Sequence, residues 1–86
     1  MYKIILLSEA QSFYKKLFSS DRSIFERISK ALQTLQKYPY QGKPLKHKLK
    51  GKYSLRVGVY RIIYEVYKKI VPVYVLEIGH RRNIYQ

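Results

Sequence analysis

The sequence predicts an α+β domain of order βααβββ, with an N-terminal helical hairpin packed on one face of a mainly antiparallel four-stranded sheet. Three observations predict it. A short β-branched run opens the chain, two segments with apolar residues three and four apart follow it, and three alternating or β-branched runs fill the C-terminal half. Connections between those last runs are too short to join anything but antiparallel neighbours. With 86 residues there is room for one modest core, so residues 1–86 are read as a single domain.

Tyr2 to Leu7 (YKIILL) reads as the first strand, ending at Ser8, which fits a helix N-cap and forms a capping box with Gln11. From Glu9 to Phe18, Ala10, Phe13, Tyr14, Leu17 and Phe18 mark one helix face, with Lys15 and Lys16 on the other. Ser19, Ser20 and Asp21 form a polar break that supplies a second N-cap. Ile24, Phe25, Ile28, Ala31, Leu32 and Leu35 then repeat the helical spacing through about Lys37. Tyr38 to Lys52 holds Pro39, Gly42, Pro44 and Gly51, which predicts a loop or an irregular edge. Tyr53 to Val59, Tyr60 to Tyr67 and Val71 to Ile78 are the remaining strands. Gly58 marks the first turn, Lys68 and Lys69 the second, and Pro72 is confined to a strand start or an edge. The expected core is Ile4, Leu6, Phe13, Leu17, Ile28, Leu32, Leu35, Ile62 and Val75.

Charge narrows the function. Eighteen Lys+Arg against 5 Asp+Glu give a net charge of +13, which directs the protein toward polyanions. The excess is concentrated in mid-chain: between Glu26 and Glu65 there is no acid and there are ten bases. A 47% hydrophobic content with ten Tyr argues against disorder. The absence of Cys removes disulfides, thiolate metal sites and a cysteine nucleophile, and only His47 and His80 remain for imidazole chemistry, so no metal and no cofactor are expected. No apolar run approaches the roughly 18 residues of a membrane span, and a cytoplasmic protein without membrane partner is expected.

Arg56, Arg61, Arg81 and Arg82, with loop lysines Lys46, Lys48, Lys50 and Lys52, are the kind of cationic set that tracks a phosphate backbone. Tyr53, Tyr60 and Tyr85 are candidate stacking platforms for unpaired bases. For Tyr60 and Tyr64, half-buried packing is the stronger reading, because strand tyrosines commonly bury the ring and wet the hydroxyl. Without metal or cysteine, RNA phosphodiester cleavage remains accessible. It needs a group to take the 2′-OH proton, cations for the phosphorane charge, and an acid for the leaving oxygen. His80 is a candidate acid or base, with a strand-end hydrogen bond as its structural alternative; His47, among lysines in the loop, reads as exposed.

LKGKYSLRVGVYRIIYEV (Leu49 to Val66) followed by VYVLEIGHRRNIY (Val73 to Tyr85) resembles the RelE/ParE superfamily of type II toxin-antitoxin systems, whose recurrent signature is an LxG…YRxRxGxYRxxY hairpin and a terminal GHRxxxY. The resemblance covers almost the whole chain. It implies a toxin with a cognate acidic antitoxin, and, for the RelE-like branch, a metal-independent endoribonuclease acting on messenger RNA in the ribosomal A site. Arg61 and Arg81 would then bind the scissile phosphate, Arg56 would be a basic position of its strand, and Tyr85 would stack on the nucleotide. Ser54 departs from the lysine that the best-known ribosome-dependent members carry, which leaves the base open between Lys52 and His80. A ParE-like inhibitor of DNA gyrase and a basic nucleic-acid or partner-binding module without catalysis are the alternatives.

Overall fold

The computed structural model describes residues 2–67 and 72–80. β1 (Lys3–Leu6) leads into α1 (Ser8–Ser20) and α2 (Arg22–Lys37), followed by β2 (Lys43–Pro44), a 3₁₀ turn at His47–Leu49, β3 (Tyr53–Val57), β4 (Tyr60–Val66) and β5 (Pro72–His80). The strands form one sheet in the order β1-β5-β4-β3-β2. β1 runs parallel to β5 and every other pairing is antiparallel. The α+β architecture is as expected, with a fifth strand added.

That extra strand corrects the four-stranded expectation. β2 is two residues long and contains a proline, so it has no period to read. It survives because it is an edge. The Leu45 N–H donates to Lys52 C=O at 2.9 Å, so one step away Pro44, opposite Tyr53, stands where a backbone N–H would face outward, a position that proline tolerates.

The start of α1 is a second correction. Ser8 is not the cap: Leu7 is, without a side-chain hydrogen bond, and no Ser8–Gln11 box forms. The Leu7 N–H still donates to Val75 C=O (2.9 Å) while its own carbonyl already accepts from Gln11 N–H (2.8 Å), so strand passes into helix with no residue left over for capping. α1 also runs on through the expected break to Ser20. The Ser20 hydroxyl folds back onto Lys16 C=O at 2.8 Å, which keeps the last turn intact. Asp21 does cap α2, its carboxylate accepting from Ile24 N–H at 3.2 Å.

Both helices lie on one face of the sheet, as expected, α1 against β5 and α2 against β1 and β3. Between them and the sheet, Ala10, Leu17, Ile28, Leu32, Leu35, Ile62, Tyr64, Val73, Val75 and Ile78 form a continuous buried cluster. Of the expected core, Ile4, Leu6 and Phe13 are only partly buried, the first two because β1 is an outer strand. A bulge in β5 tunes the packing. Ile63 pairs with Glu77 and Tyr64 with Val75, leaving Leu76 as an extra residue. Val73, Val75 and Ile78 therefore all reach the core despite the odd spacing. No helix among the described residues is long and apolar enough to cross a membrane.

Candidate nucleic-acid interface

β3 and β4 turn on Gly58 and Val59, a two-residue hairpin loop in which Gly58 adopts φ 61, a conformation that glycine takes without a Cβ penalty. The turn fixes the register, and the register decides which side chains meet. Ser54 pairs with Ile63 and Arg56 with Arg61, so these four share the outer face, away from the helices, while Leu55 and Ile62 point inward. Arg56 thus stands directly across from Arg61. Directly opposed like charges repel and weaken a sheet, with Cβ atoms about 4.5–5.5 Å apart. Arg56 Nε donates to Gly58 C=O at 3.2 Å, holding that guanidinium toward the turn. Arg61 Nη1 donates to Ser54 Oγ at 3.4 Å. From the helix side Arg27 approaches the same turn, since a Cβ on Gly58 would lie 3.1 Å from its Nη1. Three guanidiniums therefore gather around one hairpin.

Ser54 is 2% exposed, and Ile63, 3% exposed, is buried outside the main core cluster. The outer face thus has a dry floor beneath its cations. Further along it, Tyr67 donates to Glu65 Oε2 at 3.2 Å, and that carboxylate raises the phenol's pKa. Lys43 enters the same face from β2, paired with Ser54. Lys46, Lys48 and Lys50 are exposed on the loop before β3, with His47 among them at φ 59, and Lys52 is half-buried at the strand's start.

His80 is not brought to this face. It pairs with Tyr60, and its ring meets the Tyr60 ring edge-on at 5.7 Å on the helix side, where Tyr60 also packs on Phe13 at 5.9 Å. Tyr53 and Tyr64, also helix-side, stack on each other at 5.5 Å. Tyr64 is fully buried and its hydroxyl accepts from Gly42 N–H at 3.0 Å, so it is a packing residue. Burial pushes its pKa up, partly offset by that hydrogen bond. Arg81, Arg82 and Tyr85, and the turn expected at Lys68 and Lys69, lie outside the described residues. Sequence reasoning missed Lys43. Its signal was the Gly42-Lys43-Pro44 triplet, a short edge element that no periodicity marks.

On the helix side, a cleft of about 280 Å³ opens between β1 and α2, lined by Ile4, Leu6, Tyr14, Ser29, Leu32 and Gln33 among others. It is largely apolar and adjoins the free edge of β1, an outer strand of the sheet.

Residues 4–85 match the family described as the ParE toxin of type II toxin-antitoxin system, parDE. Toxin RelG of Mycobacterium tuberculosis is 40% identical over 45 residues, 52% of this chain and 52% of that protein, so the match spans about half the length of this curated relative. The toxin-antitoxin complex RelBE2 of M. tuberculosis superposes with a TM-score of 0.81 at 28% identity, covering 93% of this chain and 98% of that one. Two further structures share the fold. The YoeB/ParE toxin from Agrobacterium tumefaciens gives a TM-score of 0.82 at 20% identity over 91% of this chain and 96% of that one. The intact Escherichia coli RelBE complex gives 0.77 at 22% identity over 93% and 96%.

Proposed function

The chain belongs to the ParE toxin family of type II toxin-antitoxin systems, and we propose that within it the protein acts as a RelE-like, ribosome-dependent endoribonuclease that cuts messenger RNA and so inhibits translation. The observation that supports this most is Arg56 held directly across from Arg61 on an open sheet face. The pairing costs stability until an anion sits between the two, and a phosphodiester is the anion that a chain of +13 would meet most avidly.

In the reaction, the 2′-oxygen attacks the adjacent phosphorus while the bond to the 5′-oxygen breaks. The products are a 2′,3′-cyclic phosphate and a 5′-hydroxyl that takes up a proton. Arg61 and Arg81 stabilise charge on the phosphoryl oxygens, Arg56 adds to the field beside them, and Tyr85 packs on the nucleotide. These are positioning and electrostatic roles, which supply most of the acceleration when the ribosome already holds the message in line. A guanidinium keeps its proton, so neither Arg56 nor Arg61 is the base. Lys52 is the better candidate of the two suggested by the sequence, since His80 faces the helices. Lys46, Lys48, Lys50 and Arg82 contact the backbone further along.

The partner is a cognate antitoxin with an acidic segment that folds on binding. The apolar cleft beside β1 suits such a segment, and the mid-chain positive field would steer it. Purified protein added to programmed ribosomes, with and without EDTA at a magnesium level that keeps ribosomes intact, tests the nuclease reading; uncut message would overturn it. The family's ParE description favours DNA gyrase inhibition as the second reading, which a supercoiling assay run alongside would reveal.

A further inference from the structure

We propose that Lys43 is a further RNA-binding residue of this interface, contacting a backbone phosphate next to the one held by Arg61. The identity of the ligand rests on the endoribonuclease reading. Lys43 is opposite Ser54 in β3, and Ser54 is opposite Ile63 in β4, so the lysine lies on the outer face in the row next to the Arg56/Arg61 pair. Two strand spacings across and two residues along put the Lys43 and Arg61 backbones about 12 Å apart, within the span of two long side chains converging on neighbouring phosphates. Between them stands only the short, buried Ser54 side chain, so nothing rises from β3 in that row to block a strand of RNA.

The lysine is held there by contacts on both sides. Before it, Gly42 N–H donates to the buried Tyr64 hydroxyl at 3.0 Å, and the backbone is so close that a Cβ on Gly42 would meet Tyr64 Oη at 2.5 Å and Ser54 C=O at 2.9 Å. After it, Leu45 N–H donates to Lys52 C=O at 2.9 Å. Two residues of strand in a proline- and glycine-punctuated loop would not otherwise keep one register. An edge lysine also has a plain use, discouraging edge-to-edge association of sheets. That role predicts no dependence of RNA affinity on Lys43 beyond the loss of one charge.

The two roles separate in a salt titration. Binding of a short single-stranded 2′-O-methyl RNA, which lacks the nucleophilic hydroxyl and cannot be cut, is measured by fluorescence anisotropy at several salt concentrations. Each phosphate contact on a single strand contributes about 0.7 to the slope of log K against log salt. Lys43→Ala is expected to reduce the slope by about 0.7 and Lys43→Arg to restore it. Lys15→Ala, which removes an equal charge from the exposed side of α1, should leave it unchanged. Equal slopes for Lys43→Ala and Lys15→Ala, or absence of RNA binding by the unmodified protein, would overturn the assignment. If the unmodified protein cuts ribosome-bound message while Lys43→Ala leaves the slope intact, only Lys43 falls; if it neither binds nor cuts, the nuclease reading falls with it.

Discussion

Replacing Gly42 by Ala adds one methyl group where the structure has no room for it. The new Cβ would stand 2.5 Å from Tyr64 Oη, 2.9 Å from Ser54 O and 3.2 Å from Ser54 C. Neither neighbour can yield easily: Tyr64 is fully buried and stacked on Tyr53, and the Ser54 atoms are β3 backbone. β2 must therefore move outward. Overpacking of this kind costs about 1–3 kcal/mol. Lengthening the 3.0 Å bond from Gly42 N–H leaves a buried hydroxyl without that donor, a further cost of about 1 kcal/mol or more. The lower entropy of an unfolded chain with Ala in place of Gly returns about 0.4–1 kcal/mol. The net is a loss of about 2 kcal/mol, or roughly 8–16 °C in melting temperature for a domain of this size. Thermal unfolding followed by circular dichroism measures it. In a Tyr64→Phe background the 2.5 Å contact disappears and the Ser54 contacts remain, so the same substitution should cost about 1 kcal/mol less. A melting temperature unchanged or raised by Gly42→Ala would refute the close packing of β2 on β3 and the hold on Lys43 with it.

Arg56→Ala removes one of two opposed guanidiniums and is expected to leave stability unchanged or raise it by about 0.2–1 kcal/mol at low salt while lowering activity, as paired denaturation and cleavage measurements would show. Arg61→Ala should reduce cleavage about 10²-fold or more with the fold retained by circular dichroism. Burial raises the Tyr64 pKa above its ordinary 10.0, so the folded state holds this proton longer than the unfolded chain does. The stability that follows is complete below about pH 10 and is lost as pH rises from there through the folded-state pKa. Urea denaturation from about pH 8 to 11 should therefore show a steeper alkaline decline for the unmodified protein than for Tyr64→Phe. Antitoxin association should slow as ionic strength rises, measured by stopped-flow fluorescence, since steering is screened over about a Debye length.

Long periodic elements were legible in the sequence. Ile28, Leu32 and Leu35 lie at helical spacing on α2 and all three are buried, and Asp21 caps that helix as its residue type suggested. The strand faces were half legible. Ser54 with Arg56, and Arg61 with Ile63, follow from alternation within a strand, but that the two pairs face each other depends on register, which the Gly58 turn sets in three dimensions. His80 illustrates the limit. It is one residue from Gly79, the partner of Arg61, and that single step turns it to the helix side. The bulge at Leu76 hides in the same way, because Val75 and Ile78 break the period-two rule while both remain in the core. β2 and Lys43 were illegible because two residues show no period, and what holds them comes from Tyr64, 22 positions away.

The most direct test of the account is the fate of a defined message on the ribosome. Purified protein is added to ribosomes stalled with a known codon in the A site, and the RNA ends are mapped. The expected result is a cut within that codon, leaving a 2′,3′-cyclic phosphate, abolished by Arg61→Ala. Intact message, with gyrase supercoiling blocked by the same preparation, would contradict it.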